Sequence, residues 1–275
     1  MDTMSLVCRA SLVLLLIDAR EDPRTIVAAA VLVLVAFYQP RIYRSPVLWL
    51  GVGVPLLAVQ LWRWEGLDDH VVLTSYWFCA LGLALLSDDH QRAVRTSARL
   101  LIGFTFASAA AWKLSSSEYV SGRMFYDLLL NDGRFRPLAQ WIGGISEPDL
   151  RANSALIVAL RDPATTDLAP RFVSTSAAHA LAIAMTWWTL AIEAALAVTW
   201  LAGDRLVRPG VRIALLLVFC MATYMTLPVT AFAAVLLTMA LATTEPGDQW
   251  RLWLIGGFAV LAAWAPAWSA FFGPV

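Results

Sequence analysis

The sequence predicts an all-α integral membrane protein: a polytopic bundle of eight or nine transmembrane helices with a surface helix and an extracytoplasmic loop. Two observations predict it. Of 275 residues, 60% are hydrophobic and 15% charged, and the mean hydropathy is +0.68. A soluble domain carries roughly a quarter charged residues, so the apolar surplus must face something other than water, a lipid bilayer. The apolar residues are also gathered into runs near 4–17, 24–38, 46–62, 70–87, 97–115, 177–202, 209–227, 229–243 and 251–269. Most approach the roughly 17–25 residues that a span requires.

The first run is short and contains Arg9, so it is read either as a span or as an interfacial helix. The start, 1–10, has no basic region before it and no convincing cleavage site, which predicts that this run is retained. Residues 213–244 form 32 positions without a charge. One straight helix of that length would run about 48 Å at 1.5 Å per residue, against a hydrocarbon core of about 30 Å. Pro228 lacks an N–H and restricts Leu227 before it, so the run is expected to break there into two short spans or to kink.

Arginines in short loops set the orientation. The connections at 39–45, 88–96, 203–208 and 244–250, with the adjoining helix ends, hold Arg41, Arg44, Arg92, Arg95, Arg99, Arg205, Arg208, Arg212 and Arg251. The opposite short loops offer Arg20, Arg24 and Arg63. Nine against three predicts that the first set is cytoplasmic, which gives a multi-pass protein of the cell membrane with its N-terminus inside. The segment 116–176 is then extracytoplasmic. Within it Tyr119–Leu130 places Met124, Phe125, Leu128 and Leu129 on one face, the pattern of a helix lying on the membrane surface. Trp141 and Ile142 are candidate anchors, and 147–176 is expected to be a mobile loop with one short helix around 150–160.

Twenty basic residues balance twenty acidic ones, which excludes the basic stripe of a nucleic-acid binder. Cys8, Cys79 and Cys220 are far apart, with no CxxC and no Cys/His cluster, so they read as buried spacers rather than redox or zinc groups. The scattered histidines give no metal-ligand spacing.

An ionisable side chain inside a span costs about 2.5–3.5 kcal/mol on insertion scales and asks for a reason. Lys113 is the only lysine beside 19 arginines, at the outer end of the fifth run. Lysine can shed its proton in a desolvated site and arginine effectively cannot. Lys113 is therefore either a proton acceptor or a side chain snorkelling to the headgroups. Glu193 lies near the middle of the sixth run, as an interhelical hydrogen-bonding group or as the partner of a buried cation. Its greater depth implies that contact with Lys113 requires a tilted or broken helix. Asp68, Asp69 and His70 enter the fourth run from outside; the carboxylates suit a helix start, and His70 is either a proton carrier or a hydrogen-bonded interfacial residue. Asp68, His70 and Lys113 fall on one side of the expected topology, as a site would. A second Asp-Asp-His string, at 88–90, falls on the other side and reads as loop, and His179 is a weaker candidate outside.

Three stretches resemble the membrane domain of the vitamin K-dependent γ-carboxylase family, and more closely the related bacterial horizontally transferred transmembrane domain proteins. They are GLDDHVVLTSYWFCALGLALLSDDH, LLIGFTFASAAAWKLSSSEYVSGRMFYDLL and TLAIEAALAVTWLAGDRLVR, within about 60–245. The resemblance implies that Lys113 is the base that deprotonates a hydroquinone, that His70 and Glu193 are its histidine and acidic companions, that Gly122 marks a turn, and that a quinone is the cofactor. The motif's glycine is replaced by Ala110 or Ala111, its aromatic is Tyr119, and Phe219-Cys220 stands where the family has Phe-His. A soluble domain of the kind that holds a peptide substrate is not in the sequence, so peptide carboxylation is not the expectation.

Two functions follow. One is a membrane enzyme acting on a quinone or similar isoprenoid lipid with Lys113 as base. The other is a non-catalytic accessory or maturation helper whose segment 131–176 meets a membrane or secreted protein partner. A transporter has less support, because paired broken helices in inverted repeats are not visible.

Overall fold

The computed structural model describes residues 2–19, 23–62, 69–160, 172–204, 206–227 and 229–272. The described residues are helical and contain no strand. Every apolar run of the sequence is a helix: α1 (Thr3–Ala19), α2 (Pro23–Tyr38), α4 (Pro46–Trp62), α5 (Asp69–Leu85), α6 (His90–Ser115), α11 (Ser176–Ala202), α12 (Pro209–Tyr224), α13 (Thr230–Ala242) and α14 (Trp250–Phe272). Between them lie α3 (Pro40–Tyr43), α7 (Ser117–Val120), α8 (Arg123–Asn131), α9 (Arg136–Trp141) and α10 (Glu147–Leu160). The uncharged run 213–244 is two helices, α12 and α13; Pro228 itself lies outside the described residues. Among the described residues α11 alone is long and apolar enough to cross a bilayer by length and composition; seven other apolar helical stretches have 10–17 residues.

The chain forms two compact units, 1–106 with 196–265 and 107–195 with 266–275. In the first, α13 is the central helix. Eleven of its thirteen residues are buried, so it has no polar face, the mark of a helix enclosed on all sides. It packs against α1, α5 and α12, and α1 also packs on α2 and α3. Val7, Cys8 and Leu12 of α1 are fully buried, so α1 belongs to this core. Arg9, two turns in, lies over the Phe37 and Tyr43 rings at 4.9 and 5.5 Å from their centroids.

The helices α4 and α5 form a closely packed hairpin. A Cβ added at Gly53 would lie 2.8 Å from the Cys79 backbone nitrogen, and one at Gly82 would lie 2.7 Å from Leu50 Cγ. Absence of side chains at these two positions lets the backbones approach.

One end of this unit gathers charge. Asp2 caps α1 through the Ser5 N–H (2.7 Å) and accepts from Arg44 (2.6 Å). Arg95 pairs with Glu245 at 3.2 Å, Arg212 pairs with Asp204, and Arg251 donates to Thr244 Oγ1 at 3.0 Å. Arg20, Arg63 and Arg205 lie outside the described residues, as does the side chain of Arg24.

In the second unit the expected surface helix is two helices, α7 and α8. Gly122 turns the chain between them at φ +80°, a left-handed conformation that suits glycine. Phe125, Leu129 and Leu130 form the buried face of α8, whereas Met124 is 43% exposed. The buried face is thus rotated from the expected Met124, Phe125, Leu128 and Leu129, because Met124 and Leu128 line an open groove beside Ile157 and Val158 of α10. Segment 147–176 holds more structure than expected: α10 has 14 residues, with Ser146 accepting from the Asp149 N–H at 3.3 Å. Asn153, buried on α10, clasps Val173 with both amide atoms (Nδ2 to O 2.9 Å; Val173 N to Oδ1 2.8 Å). Residues 161–171 lie outside the described set.

Candidate functional site

The second unit is strung along α11 in a regular order. Lys113 meets Glu193, the Tyr119 phenol faces Thr189, Gly122 lies against Ile183, and the Tyr126 ring stands edge-on to His179 at 5.5 Å. As one number rises the other falls, so α11 runs antiparallel to the chain from the end of α6 through α8.

That order explains how the lysine and the glutamate meet. Lys113 occupies the last turn of α6. A helical side chain leans towards the N-terminus of its own helix. In an antiparallel pair the two side chains therefore lean towards one another. Lys113 Nζ donates to Glu193 Oε1 with α6 and α11 both continuous. Of the tilted or broken helix that the difference in depth was expected to require, the break is not found: two long side chains reaching towards one another bridge the offset between continuous helices.

The pair is nearly dry. The Lys113 side chain is 18% exposed and that of Glu193 6%. Leu190 and Ile192, beside Glu193 on α11, are buried. The Tyr119 ring centroid is 5.3 Å from Lys113 Nζ, a cation–π contact that lends the ammonium a second neighbour. Ser116 positions this ring by capping α7, accepting from the Tyr119 N–H at 3.3 Å. Burial pushes the Tyr119 phenol up to about 12, so it stays protonated at neutral pH. Glu193 Oε2 is buried at the site without a hydrogen-bond partner among the described residues, whereas the Tyr119 hydroxyl faces Thr189. Buried polar groups are normally satisfied, so an acceptor stands ready beside the cation.

Of the other expected residues, Asp68 lies outside the described set. His70 is on the first turn of α5 in the first unit, half-buried, with its carbonyl accepting from Thr74 Oγ1 at 2.8 Å. Of Lys113, Glu193 and His70, the first two share the second unit and His70 belongs to the first. The string at 88–90 serves the start of α6: Asp89 accepts from the Arg92 N–H at 3.1 Å, and His90 contacts the Ser87 carbonyl. Cys8 and Cys220 are buried and Cys79 is half-buried. Among the described residues no group of three or more His, Cys, Asp or Glu is placed to hold a metal ion. Tyr119 and Thr189 were not singled out by residue chemistry; the available signal was the aromatic position of the family motif.

Compared with protein-family models, curated proteins and solved structures, the chain matches none.

Proposed function

We propose that the chain is a polytopic membrane protein whose Lys113–Glu193 pair handles a proton for a hydroxyl-bearing lipid, a quinol being the best candidate. Large apolar side chains turned outward support the membrane setting. Val47, Val54, Val59, Leu61 and Trp62 of α4 and Trp187, Trp188 and Val198 of α11 are each at least half exposed. A water-soluble chain rarely turns so many large apolar side chains outward on its helices. Helices of 16 or 17 residues, about 25 Å long, span by local thinning of the bilayer. The eight or nine spans, the cytoplasmic N-terminus and the horizontally transferred transmembrane domain relationship belong to this same proposal.

The observation that carries the chemistry is the sole lysine bonded to a buried carboxylate whose second oxygen is unpartnered. An ammonium already donating has no room for another proton. The substrate O–H therefore passes its proton to Glu193 Oε2: the O–H bond breaks, a carboxylic acid forms, and the Lys113 ammonium remains beside the new oxyanion. Lys113 acts as the base itself only if its own proton first moves to Glu193. Lys113→Arg separates the two routes, since arginine keeps the charge and cannot serve as base. The test of the whole reading is native mass spectrometry of the extracted protein. A prenylated quinone retained by the wild type and lost in Glu193→Leu is the expected result. Retention of phospholipid alone would overturn it.

A non-catalytic accessory role is the second reading. It is favoured by a groove of about 710 Å³ in the second unit, lined by Met124, Leu128, Ile157 and Val158 together with Glu118 and Asp127. Crosslinking from Val158 should then capture one dominant partner protein.

A further inference from the structure

Arg212 sits in the first turns of α12, in the first unit, with its side chain 3% exposed. Its Nη2 donates to Asp204, eight residues earlier, so the guanidinium reaches back over the N-terminal end of its own helix. Asp204 is 56% exposed and shares its charge with solvent, which leaves the buried cation only partly compensated. Arg212 Nε and Nη1 are buried and have no partner among the described residues. The guanidinium carbon is 5.4 Å from the Trp200 ring centroid. Trp200 is fully buried, and its Nε1 is a third donor without a partner.

The helix start adds to this set. Arg208 is the N-cap and supplies no side-chain acceptor among the described residues; Pro209 has no N–H and the Val211 N–H bonds the Arg208 carbonyl at 3.0 Å, so the start of α12 contributes its positive dipole end rather than a row of free donors. Every unsatisfied group here is a donor and the local charge is positive. Water would satisfy the donors and leave the charge. An anion with several acceptor oxygens meets both demands, and arginine with a helix N-terminus is the ordinary protein answer to phosphate.

We propose that Arg212, Trp200 Nε1 and the start of α12 bind a phosphate group, carried by a phospholipid headgroup or free in solution. The site is independent of the Lys113–Glu193 pair and of the substrate proposed for it. The test uses the purified full chain, stripped into a neutral detergent and titrated with sodium phosphate against sodium chloride of equal ionic strength. A second arm uses nanodiscs of phosphatidylcholine with or without phosphatidylglycerol, read by native mass spectrometry. A saturable rise in melting temperature with phosphate identifies the free anion. One retained phosphatidylglycerol without a phosphate response identifies the headgroup. Either supports the site, and Trp200→Phe should then weaken the response about tenfold while Arg212→Gln abolishes it. If Arg212→Gln does not fold, Trp200→Phe decides alone, because it keeps an aromatic face beside the guanidinium while removing the Nε1 donor. No response in either arm, or an unchanged midpoint in Trp200→Phe, would mean that these donors are merely hydrated and would overturn the proposal.

Discussion

Replacing one partner of the Lys113–Glu193 pair should cost far more than replacing both. Both side chains are largely removed from water, at 18% and 6% exposure. Two unit charges at 4 Å attract by about 4 kcal/mol at an effective dielectric near 20. Desolvating each ion costs several kcal/mol, so the intact pair contributes little net stability. Glu193→Leu strands an ammonium and Lys113→Met strands a carboxylate, and each should lose about 3–5 kcal/mol. The double variant removes both charges from an apolar setting and should return to within about 2 kcal/mol of the wild type. Cys8 and Cys220 are buried, so reaction with a fluorogenic maleimide reports unfolding directly, with half-buried Cys79 giving a constant background. If the double variant loses as much as the two single variants added together, the groups do not interact, and the site built on their contact fails.

Further outcomes follow from other contacts. Burial works against the Asp132 carboxylate, yet the hydrogen bonds and charge of Arg134, at 2.5 Å, hold it below its ordinary range. Its contribution is therefore complete above about pH 4, near the unfolded carboxyl value, and fades as pH falls through the lower folded value; Asp132→Asn should flatten that acid limb in a pH series of unfolding curves. Asn153→Ala removes both bonds of the Val173 clasp and strands a backbone N–H and carbonyl, a loss of about 2–4 kcal/mol by chemical denaturation. Gly82→Val drives methyl groups into Leu50, whose Cγ would already lie 2.7 Å from a Cβ; a drop of about 1–3 kcal/mol is expected in the same maleimide assay, and no drop would mean that α4 and α5 are less closely apposed.

The helices were legible because apolar residues cluster into runs bounded by charge and by Pro23, Pro40, Pro46 and Pro209, each of which opens a helix where a missing N–H is harmless. The all-α class and the division of 213–244 into α12 and α13 follow from those local signals. Sequence offered less about register. Lys113 and Glu193 are 80 residues apart, and nothing local states how far α11 extends alongside α7 and α8. The same ignorance misplaced the buried face of α8: Met124, Phe125, Leu128, Leu129 and Leu130 are all apolar, and only the packing of the neighbouring elements selects Phe125, Leu129 and Leu130 for burial. Tyr119 was legible only as the aromatic of the family motif, because its place beside the lysine carries no signal until the Ser116 cap positions the ring.

The enclosure of α13 has a temporal consequence. Its wall on one side is α1, made long before it, while α13 itself ends at Ala242 and the Arg251 guanidinium that meets Thr3 comes later still. At about 5–20 residues per second, a ribosome needs roughly 12–50 s between the two ends of that contact. Throughout that interval the buried side of α1, Val7, Cys8 and Leu12, waits without its native neighbour. Nascent α1 must therefore be held by lipid, by α2 or by an insertion factor, and chains halted before residue 230 should be the ones that quality control removes.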